Sequence, residues 1–358
     1  MDKKQQLVVF LSQFDLTSSK MESIISFMDD PSIKSFKKTK FPKEVLTEEN
    51  YKKMLLSADE IMVETYIKNL KEREIEITTI YSNDYPSKLK MMQDSPYILY
   101  YKGDLSLAEK PSLSVVGSRK PTNYGRMVTE RLTREVASAG IVVISGLAYG
   151  VDSISHRTAL EVGGKTIAVL GGGFDHIYPA EHSSLADEIA KKGLLISEQR
   201  PKKMSTKYLF PLRNRIIAAL GDGTLITEAS IKSGTIHTKD FALDFGRNIY
   251  AVPGNIDSEN SQLTNEVIKT GQGQCVTCGK DILDDYDLHL TSKQTEGQYV
   301  DLSPDEQKIV ELLKNGMQNI DFLTKNIDLS INNFNTCLTM LEIRGIISRM
   351  PGGFVALN

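Results

Sequence analysis

The residues best placed to do chemistry lie in one stretch. Lys207 to Glu228, K-Y-L-F-P-L-R-N-R-I-I-A-A-L-G-D-G-T-L-I-T-E, sets cations, an aromatic ring and an amide just ahead of an apolar helix and strand. Reading back to Arg200, six cations (Arg200, Lys202, Lys203, Lys207, Arg213 and Arg215) fall between Glu198 and Asp222 with no acidic residue among them. In a chain of net charge −3 this is a local anion site. Lys207 and Phe210, three residues apart, can meet one nucleotide, the cation on phosphate and the ring on a base. Phe210 reads equally well as plain core. Asn214 can hydrogen-bond a neighbouring turn or a base edge, and helix geometry means that Arg213 and Arg215 need not both face a ligand.

Glycine-rich turns follow the apolar strands upstream. Gly117, Ser118 and Arg119 come after a strand at Leu113–Val116, Gly146 to Gly150 after Ile141–Ser145, and Gly171, Gly172 and Gly173 after Thr166–Leu170. Glycine lets backbone N–H groups approach an oxyanion with no Cβ in the way, and helix N-termini add a favourable dipole. Arg119 there is a bidentate phosphate ligand or a solvated surface arginine; Gly171–Gly173 is an anion cradle or a tight turn. Ser233, Gly234 and Thr235 precede a helix and serve as an N-cap, an oxyanion site or both. Asp152 and Glu228 are the acids nearest this edge, and a lone carboxylate among phosphate ligands more readily orients an arginine than performs catalysis. His156 and His237 read as packing or hydrogen-bonding residues.

Several classes are excluded. The first turn lacks G-x-G-x-x-G and the second strand ends in Ser145 rather than an acid, so the dinucleotide fingerprint is absent. No G-x-x-x-x-G-K-[ST] loop is present, which argues against ATP or GTP hydrolysis. Cys275 and Cys278 have the spacing of half a zinc site, but no second pair completes four ligands, so no metal and no cofactor is expected. With Cys337 the chain has three cysteines, consistent with a reducing compartment.

These residues need a frame to hold them. The length of 358 residues, 40% of them hydrophobic, suits two or three globular domains. Leu7–Leu11 is too short for a membrane span, and a cytoplasmic protein is expected. Residues 1–75 read as short amphipathic helices forming a small domain. Residues 76–285 open with extended pieces, then alternate β-branched strands with helices at about 123–138, 151–162, 181–192, 211–220 and 234–245. That order predicts an α/β fold, a doubly wound parallel sheet with ligands beyond the carboxyl ends of its strands. Residues 286–300 read as a linker, and 301–358 as three helices and a two-stranded hairpin turning at Gly352-Gly353, a winged helix.

The motifs taken together resemble the DNA-processing protein A family, also called Smf. V-V-G-S-R at 115–119, S-G-L-A-Y-G-V-D at 145–152, T-I-A-V-L-G-G-G at 166–173 with Tyr178-Pro179, F-P-L-R-N-R-I-I-A at 210–218, S-G-T at 233–235 and G-R-N-I-Y-A-V-P-G at 246–254 carry the resemblance in order. The segment at 260–273 and the residues His237 and Lys239 depart from the family pattern. The resemblance implies an extended Rossmann-like core, an N-terminal helical domain similar to the sterile alpha motif and a C-terminal winged helix. It further implies a protein without enzymatic activity that binds single-stranded DNA during natural transformation, protects it, loads the RecA recombinase onto it and forms a homodimer through the core. Carried over by motif, Arg119, Lys207 and Phe210 become the leading DNA contacts, with Asn214, Arg215, Gly117, Ser118, Gly146, Gly172, Gly173, Ser233, Gly234 and Thr235 lining the pocket.

Two rival readings belong to other classes. G-D-G-T-L-I-T-E at 221–228 is similar to part of the motif of nucleotide phosphoribohydrolases of the lysine-decarboxylase-like family, but lacks its leading P-G-G. A duplex-DNA regulator acting through the tail conflicts with charge, because residues 296–358 carry five Lys and Arg against eight Asp and Glu. The tail is expected to contact protein instead.

Overall fold

The computed structural model describes residues 1–286, 302–313, 318–327, 329–350 and 353–357. The chain divides into two compact units, residues 1–288 and 289–358.

The larger unit is built on nine strands: β1 (Glu76–Thr79), β2 (Ile98–Gly103), β3 (Ser112–Val116), β4 (Val142–Ser145), β5 (Thr166–Leu170), β6 (Leu194–Ser197), β7 (Gly223–Ile226), β8 (Asn248–Ala251) and β9 (Gln274–Cys275). They lie in the order β1-β2-β6-β5-β4-β3-β7-β8-β9. Every pairing from β6 across to β9 is parallel. The sheet is not wholly parallel, because β2 adds to β6 and β1 to β2 in antiparallel register, a common way to finish the edge of a doubly wound sheet. Residues of β3 to β7 are all buried, which is why their apolar runs show no alternation.

Five helices precede the sheet: α1 (Lys3–Ser12), α2 (Ser18–Ser26), α3 (Ile33–Phe36), α4 (Glu48–Leu55) and α5 (Glu60–Glu72). Each starts where a side-chain oxygen of Asp2, Thr17, Ser32, Thr47 or Asp59 accepts a backbone N–H of the first turn. Their core of Leu7, Phe10, Ile24, Phe36 and Met54 takes in Ile98 and Tyr100 of β2. The Tyr100 hydroxyl also meets Ser12 Oγ at 2.7 Å. The helical region is therefore fused to the sheet edge through a shared core.

The remaining helices are α6 (Ser87–Lys90), α7 (Asn123–Ser138), α8 (Val151–Glu161), α9 (Ser183–Lys192), α10 (Leu209–Leu220), α11 (Thr235–Asp244), α12 (Gln262–Lys269) and α13 (Lys280–Leu283). From β3 the chain steps outward through β4, β5 and β6, then returns to place β7 on the other side of β3. The order reverses between β3 and β7, so a crevice is expected at their carboxyl ends.

The smaller unit contains α14 (Pro304–Leu313), α15 (Ile320–Asn326) and α16 (Ile331–Ile343), with strands β10 (Gln318–Asn319), β11 (Ile347–Met350) and β12 (Phe354–Leu357). The strands form an antiparallel sheet in the order β10-β12-β11. Ile309, Leu313, Leu323, Phe334, Leu338 and Val355 fill its core. This is the winged helix expected from the sequence, with β10 added. The expected linker at 286–300, Tyr286 apart, lies outside the described residues, as does Gly352 of the expected turn. Tyr286 closes the larger unit, donating to the Ser112 carbonyl at 2.8 Å. Among the described residues no helix is long and apolar enough to cross a membrane.

Candidate nucleic-acid interface

Arg119 emerges from the end of β3, exposed, with its guanidinium 5.6 Å from the centre of the Phe210 ring. Among the described residues it makes no hydrogen bond, so its donors are free for an anion. Phe210 sits in the first turn of α10, where Gly171 makes room for it: a Cβ on Gly171 would lie 2.9 Å from the ring. Tyr178 lies beside it, ring centres 5.5 Å apart and planes inclined by 49°. Arg119, Gly146, Tyr149, Tyr178, Phe210 and Arg213 line a shallow cleft enclosing about 10 Å³. That is room for about one water, so a ligand here lies across the surface rather than inside a cavity.

Arg213 fixes α10 to the strand ends. It is buried; its Nη1 donates to the carbonyls of Gly146, at 2.6 Å, and Val169, and its Nε to Asn214 Oδ1 at 3.2 Å. Burial brings its pKa down to about 10, with buried Asp152 acting in the opposite sense, so it stays cationic at neutral pH. Asp152 accepts from the N–H groups of Gly146 at 3.2 Å and Ala148 at 3.3 Å, while burial raises its pKa. Gly146 is glycine because a side chain would overlap the Arg213 guanidinium.

Other residues expected to line the pocket are engaged in internal bonds. Arg215 is buried, with Nη2 at 2.7 and 2.8 Å from the two Glu198 oxygens and Nε at 3.5 Å from Asp94. Ser118 donates its N–H to the Glu228 carbonyl at 2.6 Å and accepts Val151 N–H at 3.1 Å, and the Gly117 carbonyl accepts from Thr235 Oγ1 at 3.2 Å. The Ser118 N–H is thus spent on an internal bond instead of being offered to an oxyanion. Gly172 and Gly173 are buried under the 200–206 loop, Gly173 donating its N–H to the Lys203 carbonyl at 2.7 Å. Neither lines the cleft. Asn214 does bridge to the start of α11, donating to the Gly234 carbonyl at 3.3 Å. Gly234 is exposed, Thr235 is buried, and the Ser233 hydroxyl is buried with no partner among the described residues.

The cation cluster divides in the same way. Arg200 donates to the Gln13 carbonyl at 2.6 Å and Lys203 binds Asp15 at 2.8 Å. With Arg213 and Arg215 buried, Lys202 and Lys207 are left exposed and unpaired among the described residues. Glu228 has both carboxylate oxygens occupied, by Thr122 N–H at 2.8 Å and Thr122 Oγ1 at 2.6 Å. His156 is buried with Nδ1 at 2.6 Å from Thr166 Oγ1, and His237 is exposed. Cys275 and Cys278 are free thiols. Tyr149 and Tyr178 are cleft residues that sequence reasoning missed. The available signal was an aromatic just past a glycine turn, as in A-Y-G at 148–150 and G-G-G-F-D-H-I-Y-P at 171–179.

Comparison with known proteins decides the family. The model for DNA recombination-mediator protein A matches residues 76–287, and that for the DprA winged helix domain matches 293–353. The chain belongs to the DprA/Smf family. Its DprA/Smf relatives include DNA processing protein DprA of Bacillus subtilis, 43% identical over 187 residues, which are 52% of this chain and 63% of that protein. The chain therefore spans somewhat less than two thirds of that relative's length. Protein Smf of Escherichia coli is 35% identical over 287 residues, covering 77% of this chain and 76% of its own. Among DprA structures, that from Streptococcus pneumoniae superposes with a TM-score of 0.69 at 30% identity, covering 81% of this chain and 100% of the other. DNA processing protein A from Helicobacter pylori, described for its unique single-stranded DNA binding mode, gives 0.54 at 32% identity, covering 60% and 97%. The Rossmann-like core and winged helix of the DprA/Smf resemblance are thus both present in this chain.

Proposed function

We propose that this chain binds single-stranded DNA at the Arg119–Phe210 cleft, protects incoming DNA during natural transformation and loads RecA recombinase onto it, in the cytoplasm, as a homodimer through the Rossmann-like core. The observation that carries the reading is Arg119, unbonded, poised over an aromatic ring at a sheet edge. A guanidinium holds phosphate while Phe210 offers a face to an unstacked base, and Lys207, exposed one turn earlier, adds a second cation. A duplex hides its bases' faces, so the site favours single strands. Residues 76–285 carry the binding, residues 1–75 form the helical module and residues 301–358 serve as a protein-contact module.

The reading of this site as binding rather than catalytic rests on the shallow cleft and on Glu228. A phosphoribohydrolase needs an enclosed pocket and a free acid, whereas the Glu228 carboxylate is committed to Thr122. Incubation with nucleoside monophosphates should release no free base. The main test is salt-dependent binding to single- and double-stranded oligonucleotides. Wild type is expected to prefer single strands, and Arg119→Ala and Lys207→Ala each to bind them more weakly with a shallower salt slope. Equal affinity of all three proteins would overturn the site. Sedimentation would test the dimer, and strand-exchange assays with RecA the loading.

A further inference from the structure

Asp15, in the turn between α1 and α2, sits over two cations of the core. Its Oδ1 is 2.8 Å from Lys203 Nζ and 3.6 Å from an Arg200 guanidinium nitrogen. Arg200 is held in place by its bond to the Gln13 carbonyl, and Lys203 by the backbone bonds of its loop to Gly173. Two fixed cations converging on a largely exposed carboxylate form an anion seat whose occupant belongs to the same chain. The Lys203 hydrogen bond is foremost among the influences holding the Asp15 carboxyl below its ordinary pKa, and the charges of Lys203 and Arg200 add to it.

The seat is close to the cleft. A side chain added at Gly171 would meet the Phe210 ring, one at Gly172 would meet Ser205 and the Lys203 carbonyl, and one at Gly173 the Arg200 carbonyl, so the loop from Arg200 to Ser205 packs on this turn. Two residue steps along that turn span at most about 7 Å. The loop that bears Arg200 and Lys203 covers this buried turn, so a strand continuing past Phe210 over the outer side of the loop comes to these two cations next.

We propose that Arg200 and Lys203 form a second backbone-phosphate station for the bound strand, occupied in the free protein by Asp15, which a phosphate displaces. This rests on the single-strand reading of the cleft. A phosphodiester carries the same single charge as Asp15 and accepts the same hydrogen bonds. Asp15 thus sets how much of the cationic track a strand can use, and the helical region tunes affinity through one side chain.

The test is a double-mutant cycle with the full chain and a long oligothymidylate, comparing wild type, Asp15→Asn, Lys203→Gln and the double variant across salt. Asp15→Asn should raise affinity about three- to tenfold and steepen the salt slope by up to about 1.4, two cations at roughly 0.7 each for single strands. On the Lys203→Gln background most of that gain should vanish. A gain that persists undiminished there would show a general charge effect and overturn the station. Unchanged or weaker binding of Asp15→Asn with an unchanged slope would reduce Asp15 to a tether and likewise overturn it. Wild type and Arg119→Ala are run alongside: failure of wild type to bind single strands sinks the cleft reading itself, whereas normal binding lost in Arg119→Ala leaves it standing whatever Asp15 does.

Discussion

Arg119 and Arg215 carry one chemistry into two environments. Arg119 is exposed and unbonded, so Arg119→Ala should weaken strand binding while leaving the thermal midpoint within about 1–2 °C. Arg215 is buried on Glu198, so Arg215→Ala leaves a carboxylate with little solvent and only the Ser18 hydroxyl, at 3.0 Å, as a partner. A loss of about 2–3 kcal/mol in urea unfolding is expected, below the figure for a fully buried pair because Glu198 keeps some exposure. His156 makes a further prediction. Burial holds its pKa at about 3, against an ordinary value near 6.5, so between those limits the unfolded chain binds a proton that the folded chain does not. Its contribution is therefore complete above about pH 6.5 and falls as pH drops toward 3, with a slope of about 1.4 kcal/mol per pH unit. Unfolding of wild type and His156→Gln at pH 7 and 5 should show the difference between them narrowing at the lower pH.

At the scale of elements, the cleft is a joint between α10 and the turns after β3, β4 and β5. Arg213 is its pin, bonded to the Gly146 and Val169 carbonyls. Gly146→Ala would put a methyl group into the guanidinium and push α10, with Phe210, away from Arg119. We expect a destabilisation of about 1–3 kcal/mol together with weaker strand binding, whereas Arg119→Ala separates the two effects. Gly150 is constrained differently: its φ is +75°, and an added Cβ would meet the Ser118 carbonyl and Pro121. Alanine there combines backbone strain with overlap, and its loss of stability should exceed that of Gly146→Ala.

At the scale of the molecule, each of the two units has its own core, and their charges differ in use. In the winged helix, α16 occupies the place of a recognition helix, yet Ile331–Ile343 contains no Lys or Arg. Phosphate contact needs cations there, so a chain ending at residue 288 should keep single-strand affinity within about twofold and an unchanged salt slope. A slope lowered by a unit or more on truncation would assign the tail a direct role in DNA contact.

The order of strands and helices in the core, the winged tail and the stretch bearing Phe210 were all legible in the sequence, because strand and helix periods and glycine placement are local properties. Thr166–Leu170 and Leu194–Ser197 were read with the bounds the structure shows. Tertiary structure decided which cations face solvent. Six charges in a row of 16 residues look alike in sequence, but four are taken up by partners distant along the chain: Gln13, Asp15, Gly146 with Val169, and Glu198. Those partners are invisible to local reading because each pairing depends on how the sheet folds back on itself. The same holds for Gly173, whose N–H is taken by the Lys203 carbonyl, and for Gly172, which the same loop, 30 residues later, covers. Sequence by itself pointed to an anion site; packing determined that Arg119, Lys202 and Lys207 stand exposed and unpaired among the described residues, with Phe210 beside the first, since a cation buried against an acceptor is held there by the cost of leaving that acceptor without a partner.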